Sequence, residues 1–163
     1  MLAQADRVAP TSAPGPAIGQ RHRPLWLVAV LSLVTIGLYT PVWMALTWSE
    51  MKAELHDDNM YPAWHGLTFF VPIYAYFRIH AHYRIINELL SRVGATTGVN
   101  PGSAVLGFII GNMVGGLSNA VPGGRSVFFL LLISSAIVAA VLVYGQAGLN
   151  AYWRAVSNEV VPK

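Results

Sequence analysis

Histidine is the one residue type in this chain suited to acid–base or metal chemistry near neutral pH, and it occurs at His22, His56, His65, His80 and His82. A metal site needs three or four converging donors, and a bis-histidine haem needs two imidazoles at matched depth on facing helices. His80 and His82 stand two apart, roughly 200 degrees around a helix, so regular helix does not bring both to one ion. These histidines therefore read as polar residues at an interface rather than as ligands. The chain has no cysteine, which excludes disulfides, thiolate nucleophiles, and cysteine-ligated zinc or iron–sulfur clusters. Gly107 to Gly116 has the glycine content of a phosphate cradle, but no lysine follows it. Nucleophile elbows and metalloprotease signatures are absent as well. The expectation is a protein that is not an enzyme and carries no cofactor or metal.

Within the apolar stretches the polar residues are neutral: Thr35, Asn112, Asn119, Ser134, Ser135 and Gln146, with Ser32 and Ser118 as smaller contributors. No Asp or Glu lies in these stretches, so the intramembrane carboxylate of a proton relay is missing. Gly107, Gly111 and Gly115 form a small-xxx-small series, extended by Ala104 and Ser118. Stripping side chains from one stripe lets another helix approach closely. The expected partner is the last apolar segment, which offers Ser135 with Ala139 and Ala136 with Ala140. Counting outward from the turn at 122–125 sets Asn112 level with about Ser135, in reach of an interhelical hydrogen bond. Self-association through the same stripe is the alternative, and packing within the chain is the simpler reading.

The elements that would position these residues follow from where charge is missing. Of 163 residues, 55% are hydrophobic and 10% charged. The charged residues leave four uncharged runs: Pro24 to Ser49, Asn59 to Phe77, Val93 to Gly124 and Ser126 to Trp153. One crossing of a hydrocarbon core takes about 20 apolar residues. The expected fold is an all-α integral membrane protein with four transmembrane helices, at about 24–48, 63–78, 103–121 and 126–149. An amphipathic helix at about 78–93 follows the second span on the cytoplasmic side, lying at the interface or packed under the bundle, since Ile79, Tyr83, Ile86, Leu90 and Val93 recur every three or four residues. Residues 1–23, rich in Ala, Pro, Gly and Gln, read as a disordered cytoplasmic tail, and 24–163 as a single helical membrane domain. Arg21 and Arg23 before an apolar stretch suggest a signal peptide, but that stretch is too long and lacks a clear cleavage site. Pro41 is expected to kink the first span or tighten its last turns, and Pro72 sits in the middle of the second.

Charge decides whether the second segment crosses or re-enters. With four crossings, Arg7, Arg21, Arg23, Arg78, Arg84, Arg92, Arg154 and Lys163 share one side, and Lys52 and Arg125 the other. With a re-entrant second segment the balance inverts. The positive-inside rule then favours four crossings with both termini cytoplasmic. Arg78, Arg84 and Arg92 become candidates for lipid headgroup contact. The net charge of +3, with no long basic run, excludes a nucleic-acid partner.

Leu33-Val34-Thr35-Ile36-Gly37-Leu38-Tyr39 followed by Trp43, then Val71-Pro72-Ile73-Tyr74 running into Arg78, then Gln146-x-x-Leu149-Asn150-x-Tyr152-Trp153, occur in that order. On these stretches the chain resembles the bacterial membrane family known as domain of unknown function 4234. Thr40-Pro41 directly after Tyr39 departs from the pattern. The resemblance implies a multispanning bacterial membrane protein and brings no activity. Tyr39, Trp43, Tyr152 and Trp153 are then candidate interfacial anchors, and Asn150 a candidate cap or hydrogen-bonding residue at the end of the last helix. The expected role is an uncharacterised plasma-membrane component acting through packing, with membrane lipids, itself or a larger membrane complex as partners. A small homo-oligomeric pore lined by Asn112, Asn119 and Ser134, and a lipid-binding surface sensor built on 78–93, are the alternatives.

Overall fold

The computed structural model describes residues 22–57, 59–67 and 71–160, and six helices form within them. They are α1 (Leu25–Val34), α2 (Tyr39–Leu55), α3 (Pro62–Leu67), α4 (Pro72–Arg92), α5 (Pro101–Leu117) and α6 (Gly124–Val160). The tail expected at 1–23 lies outside the described residues save for its last two.

The first uncharged run is two helices, because its backbone turns between them. Ile36 and Gly37 both adopt left-handed conformations, at φ 51° and 84°. Glycine takes that region without steric cost, whereas isoleucine is strained there. The Gly37 N–H donates to the Ser32 carbonyl at 2.8 Å, closing the end of α1. Thr35 ties the turn together by donating its hydroxyl to the Leu31 carbonyl at 2.7 Å and accepting the Tyr39 N–H at 2.9 Å. Pro41 falls in the first turn of α2, where no N–H is needed, and so starts a helix instead of kinking one.

The second run is divided as well. α3 has 6 residues, Val71 is extended, and α4 begins at Pro72, where a proline is well suited to the first helical position. From there α4 runs unbroken to Arg92, so the boundary expected near residue 78 does not exist. Its buried stripe is Ala75, Ile79, His82, Tyr83, Ile86, Leu89 and Leu90, which makes α4 a core helix rather than one lying on a membrane surface.

Four membrane crossings do not survive these observations. α1 has 10 residues and α5 has 17, about 15 and 26 Å at 1.5 Å per residue, against a hydrocarbon core of about 30 Å. α4 is long enough but carries Arg78, Arg84, Glu88 and Arg92. Among the described residues one helix, α6, is long and apolar enough to cross a membrane, and a single such helix is weak evidence that it does. The four-span fold is corrected to a six-helix all-α arrangement. The assignment to a plasma membrane with both termini cytoplasmic goes with it, because the charge count that oriented the chain presupposed the crossings. Membrane lipids and a membrane assembly as partners rested on the same spans and are withdrawn for the same reason.

α6 is the element around which the rest packs. Its 37 residues extend about 55 Å and contact α1, α4 and α5, while α2 packs chiefly on α3. Trp43, Met44, Met51, Tyr83, Ile86, Leu89, Leu149 and Trp153 form the fully buried centre of the core. Large apolar side chains are also exposed, among them Val34, Leu38, Phe77 and Met113. A buried polar chain crosses the core: the Trp43 indole donates to Gln146 Oε1 at 2.8 Å, and Gln146 Nε2 donates to Asn150 Oδ1 at 2.9 Å. Asn150 then brackets the main chain of Arg23, donating to its carbonyl at 2.6 Å and accepting its N–H at 3.2 Å. The Arg23 guanidinium forms a two-pronged ion pair with Glu50 of α2.

Candidate functional site

The left-handed turn between α1 and α2 does more than reverse the chain, because it opens one wall of a cavity. Ile36, Gly37, Leu38, Thr40 and Pro41 form that wall. Ala75 and Tyr76 come from the first turn of α4, Phe108 and Asn112 from α5, and Ser134, Ser135 and Val138 from α6. Its volume is about 420 Å³, within the range of small-molecule sites. Tyr76 and Phe108 meet edge to face in its wall, with centroids 6.4 Å apart.

None of the lining residues is charged, and the polar groups are hydroxyls and one amide. Ser134 donates to the Gly111 carbonyl at 2.8 Å, and Ser135 to the Ser32 carbonyl at 2.9 Å. Each serine oxygen keeps acceptor capacity. Thr40 is different. Elsewhere in these helices Ser32, Thr35 and Thr47 return their hydroxyls to the carbonyl four residues earlier. Four residues before Thr40 stands Ile36 in its left-handed conformation, so no helical turn presents a carbonyl there. Thr40 is 2% exposed and its hydroxyl has no hydrogen-bond partner among the described residues. A buried polar atom without a partner is uncommon enough to mark the place where it occurs.

The residues singled out from sequence fall in several places. Gly107, Gly111 and Gly115 face α6, where added Cβ atoms would come within 2.7 Å of Val141, 2.9 Å of Val138 and 2.9 Å of Ser134. Ser134, not Ser135, makes the hydrogen bond from α6 to α5, while Asn112 opens onto the cavity. Ala139 is buried. Trp43, Tyr152 and Trp153 are core residues, and the Tyr152 hydroxyl donates to Glu54 Oε1 at 2.8 Å. Tyr39 is half-buried, and that burial raises its pKa; Arg23 opposes the shift and Glu50 adds to it. Asn150 lies ten residues before the end of α6 and holds the chain before α1 instead of capping a terminus. Arg92 pairs with Glu88 at 2.7 Å, and Arg78 donates to the Tyr74 hydroxyl.

Among the described residues the histidines do not converge. His80 is exposed while His82 is fully buried, its Nε2 3.2 Å from the Thr47 hydroxyl and its ring 5.1 Å from that of Trp43. Among the described residues no three His, Cys, Asp or Glu side chains are grouped to hold a metal. Sequence reasoning overlooked Thr40, Tyr76 and Phe108 in the cavity, and Gly145 and Gly148, whose close contacts with Tyr83 and Ile86 let α4 approach α6.

No protein-family model matches the chain, and no curated protein or solved structure does either. The resemblance to domain of unknown function 4234 is corrected on this ground and on the helix lengths, which do not make a multispanning protein. The Thr35-Ile36-Gly37-Leu38-Tyr39 stretch that suggested it is a turn and a cavity wall. The membrane-assembly, pore and surface-sensor roles are corrected together. The first two required several crossings. The third required a surface helix where α4 is buried in the core.

Proposed function

We propose that this chain is a binding protein for a small, uncharged, largely apolar molecule, held between the α1–α2 turn and helices α4, α5 and α6. The carrying observation is the uncharged cavity of about 420 Å³ that Thr40 helps to line, its buried hydroxyl without a hydrogen-bond partner among the described residues. Apolar walls supply the driving force, and a few fixed polar groups set orientation. A charged ligand would lose its hydration there with no counter-charge to offset it. Hydroxyls and an amide with no acid–base residue beside them suit binding without turnover.

Indole, a neutral aromatic with one N–H donor, is a direct probe, and indole-3-acetate is its charged control. Indole is expected to move the NMR signals of the Asn112 side-chain amide, Thr40 and Phe108, and to raise the thermal midpoint. Asn112→Leu, at an exposed position that does not threaten folding, is expected to weaken indole roughly two- to tenfold, the value of one neutral hydrogen bond. Signals at these residues that stay fixed up to the solubility of indole, or that respond equally to indole-3-acetate, would sink the proposal.

A further inference from the structure

A second cleft lies on the other side of α4, between that helix and the chain around α3. Trp48, Tyr61, Trp64 and Tyr74 supply its aromatic walls, and Arg78 and Arg84 its charge, around about 420 Å³. Trp64 and Tyr61 are 66% and 59% exposed, and the Lys52 ammonium stands 5.8 Å from the centroid of the Tyr61 ring. The two arginines are unlike the others whose ion pairs shape the fold. Arg23 is committed to Glu50 and Arg92 to Glu88, but among the described residues neither Arg78 nor Arg84 has a carboxylate partner. Asp57, in the connection that leads to the cleft, accepts the Asn59 N–H at 2.9 Å within its own loop.

Arg78 is also held in place. Its guanidinium carbon is 4.8 Å from the centroid of the Tyr74 ring, and it donates to that tyrosine's hydroxyl. Its Nε is buried with no hydrogen-bond partner among the described residues. An oriented, uncompensated guanidinium beside a second arginine is a receptor for a carboxylate or phosphate, whose paired oxygens match its fork of donors. Aromatic walls beside that charge add contact area for a flat apolar body. This combination does not occur in the first cavity, which has no charged lining.

We propose that this cleft is an independent binding site for a small aromatic anion, its carboxylate or phosphate on Arg78 and Arg84 and its ring against Trp64 and Tyr61. Phenyl phosphate tests it, with phenol and inorganic phosphate as controls and tryptophan fluorescence of the full chain as readout. Phenyl phosphate is expected to bind at least about tenfold more tightly than either control, since each lacks one half of the recognition. Arg84→Gln and Trp64→Ala, both at exposed positions, are each expected to weaken it about fivefold or more, and Arg78→Lys less than Arg78→Gln. Indole shifts at Asn112 should be unchanged in Arg84→Gln, so failure at one site is distinguishable from failure at the other. Equal affinity for phenol and phenyl phosphate would overturn the proposal, as would binding unaltered by both Arg84→Gln and Arg78→Gln.

Discussion

The Tyr83 hydroxyl, fully buried, donates to the Val141 carbonyl of α6. Burial raises its pKa well above the ordinary tyrosine value of 10.0; a backbone hydrogen bond from Gly145 opposes the shift and Tyr144 adds to it. The folded state thus keeps a proton that the unfolded chain releases above about pH 10. Where the unfolded state binds fewer protons, stability falls as pH rises. This contribution is whole below pH 10 and declines above it by about 1.4 kcal/mol per pH unit until the folded group ionises. Tyr39, raised chiefly by its own burial, acts in the same direction. Urea unfolding at pH 8 and pH 10.5 should show a loss in the native chain that is smaller in Tyr83→Phe. An equal loss in both would mean that Tyr83 is not the residue titrating.

Between elements, the closeness of α5 and α6 can be tested with two glycines of one helix. A Cβ at Gly111 would lie 2.9 Å from the Val138 methyl, while at Gly116 it would meet nothing within 4 Å. Replacing either by alanine gains the same helix propensity, roughly 1 kcal/mol, so that term cancels in the comparison. Gly111→Ala is expected to be less stable than Gly116→Ala by about 1–3 kcal/mol, the usual cost of overpacking, read from urea midpoints. Equal midpoints would show that α6 yields without cost. The glycine spacing that suggests this contact is visible in sequence because a stripe is local. The buried face of α4 is visible for the same reason, in the recurrence of Ile79, Tyr83, Ile86 and Leu90. The division of the long uncharged runs is not, because absence of charge says nothing about backbone continuity. Ile36 and Gly37 end one helix through their dihedrals, and Pro72 opens another, inside segments whose composition is uniformly apolar. The cavity was hidden by distance along the chain: Thr40, Tyr76, Phe108 and Ser134 share no motif and meet only after α1, α4 and α5 have docked on α6.

At the scale of the molecule, α6 links two polar constructions. Ser134 and Ser135 serve the cavity, and Gln146 and Asn150, roughly 20 Å further along the helix, clamp the chain before α1 to the core. Asn150→Ala would leave the Gln146 amide and the Arg23 main chain without their partners, for a cost of about 2–3 kcal/mol. Hydrogen exchange at the Arg23 amide should accelerate with it, because that N–H loses its acceptor. Ligand stabilisation follows from mass action and reaches about 2.7 kcal/mol when indole is at 100 times its dissociation constant. Perturbations more than about 10 Å apart with no shared partner add to within roughly 0.5 kcal/mol. Indole should therefore stabilise the native chain and Asn150→Ala by equal increments, measured by urea unfolding at the same free indole concentration. A smaller increment in the variant would mean that the clamp helps to shape the cavity, with α6 carrying the coupling as a rigid element between two sites that share no residue.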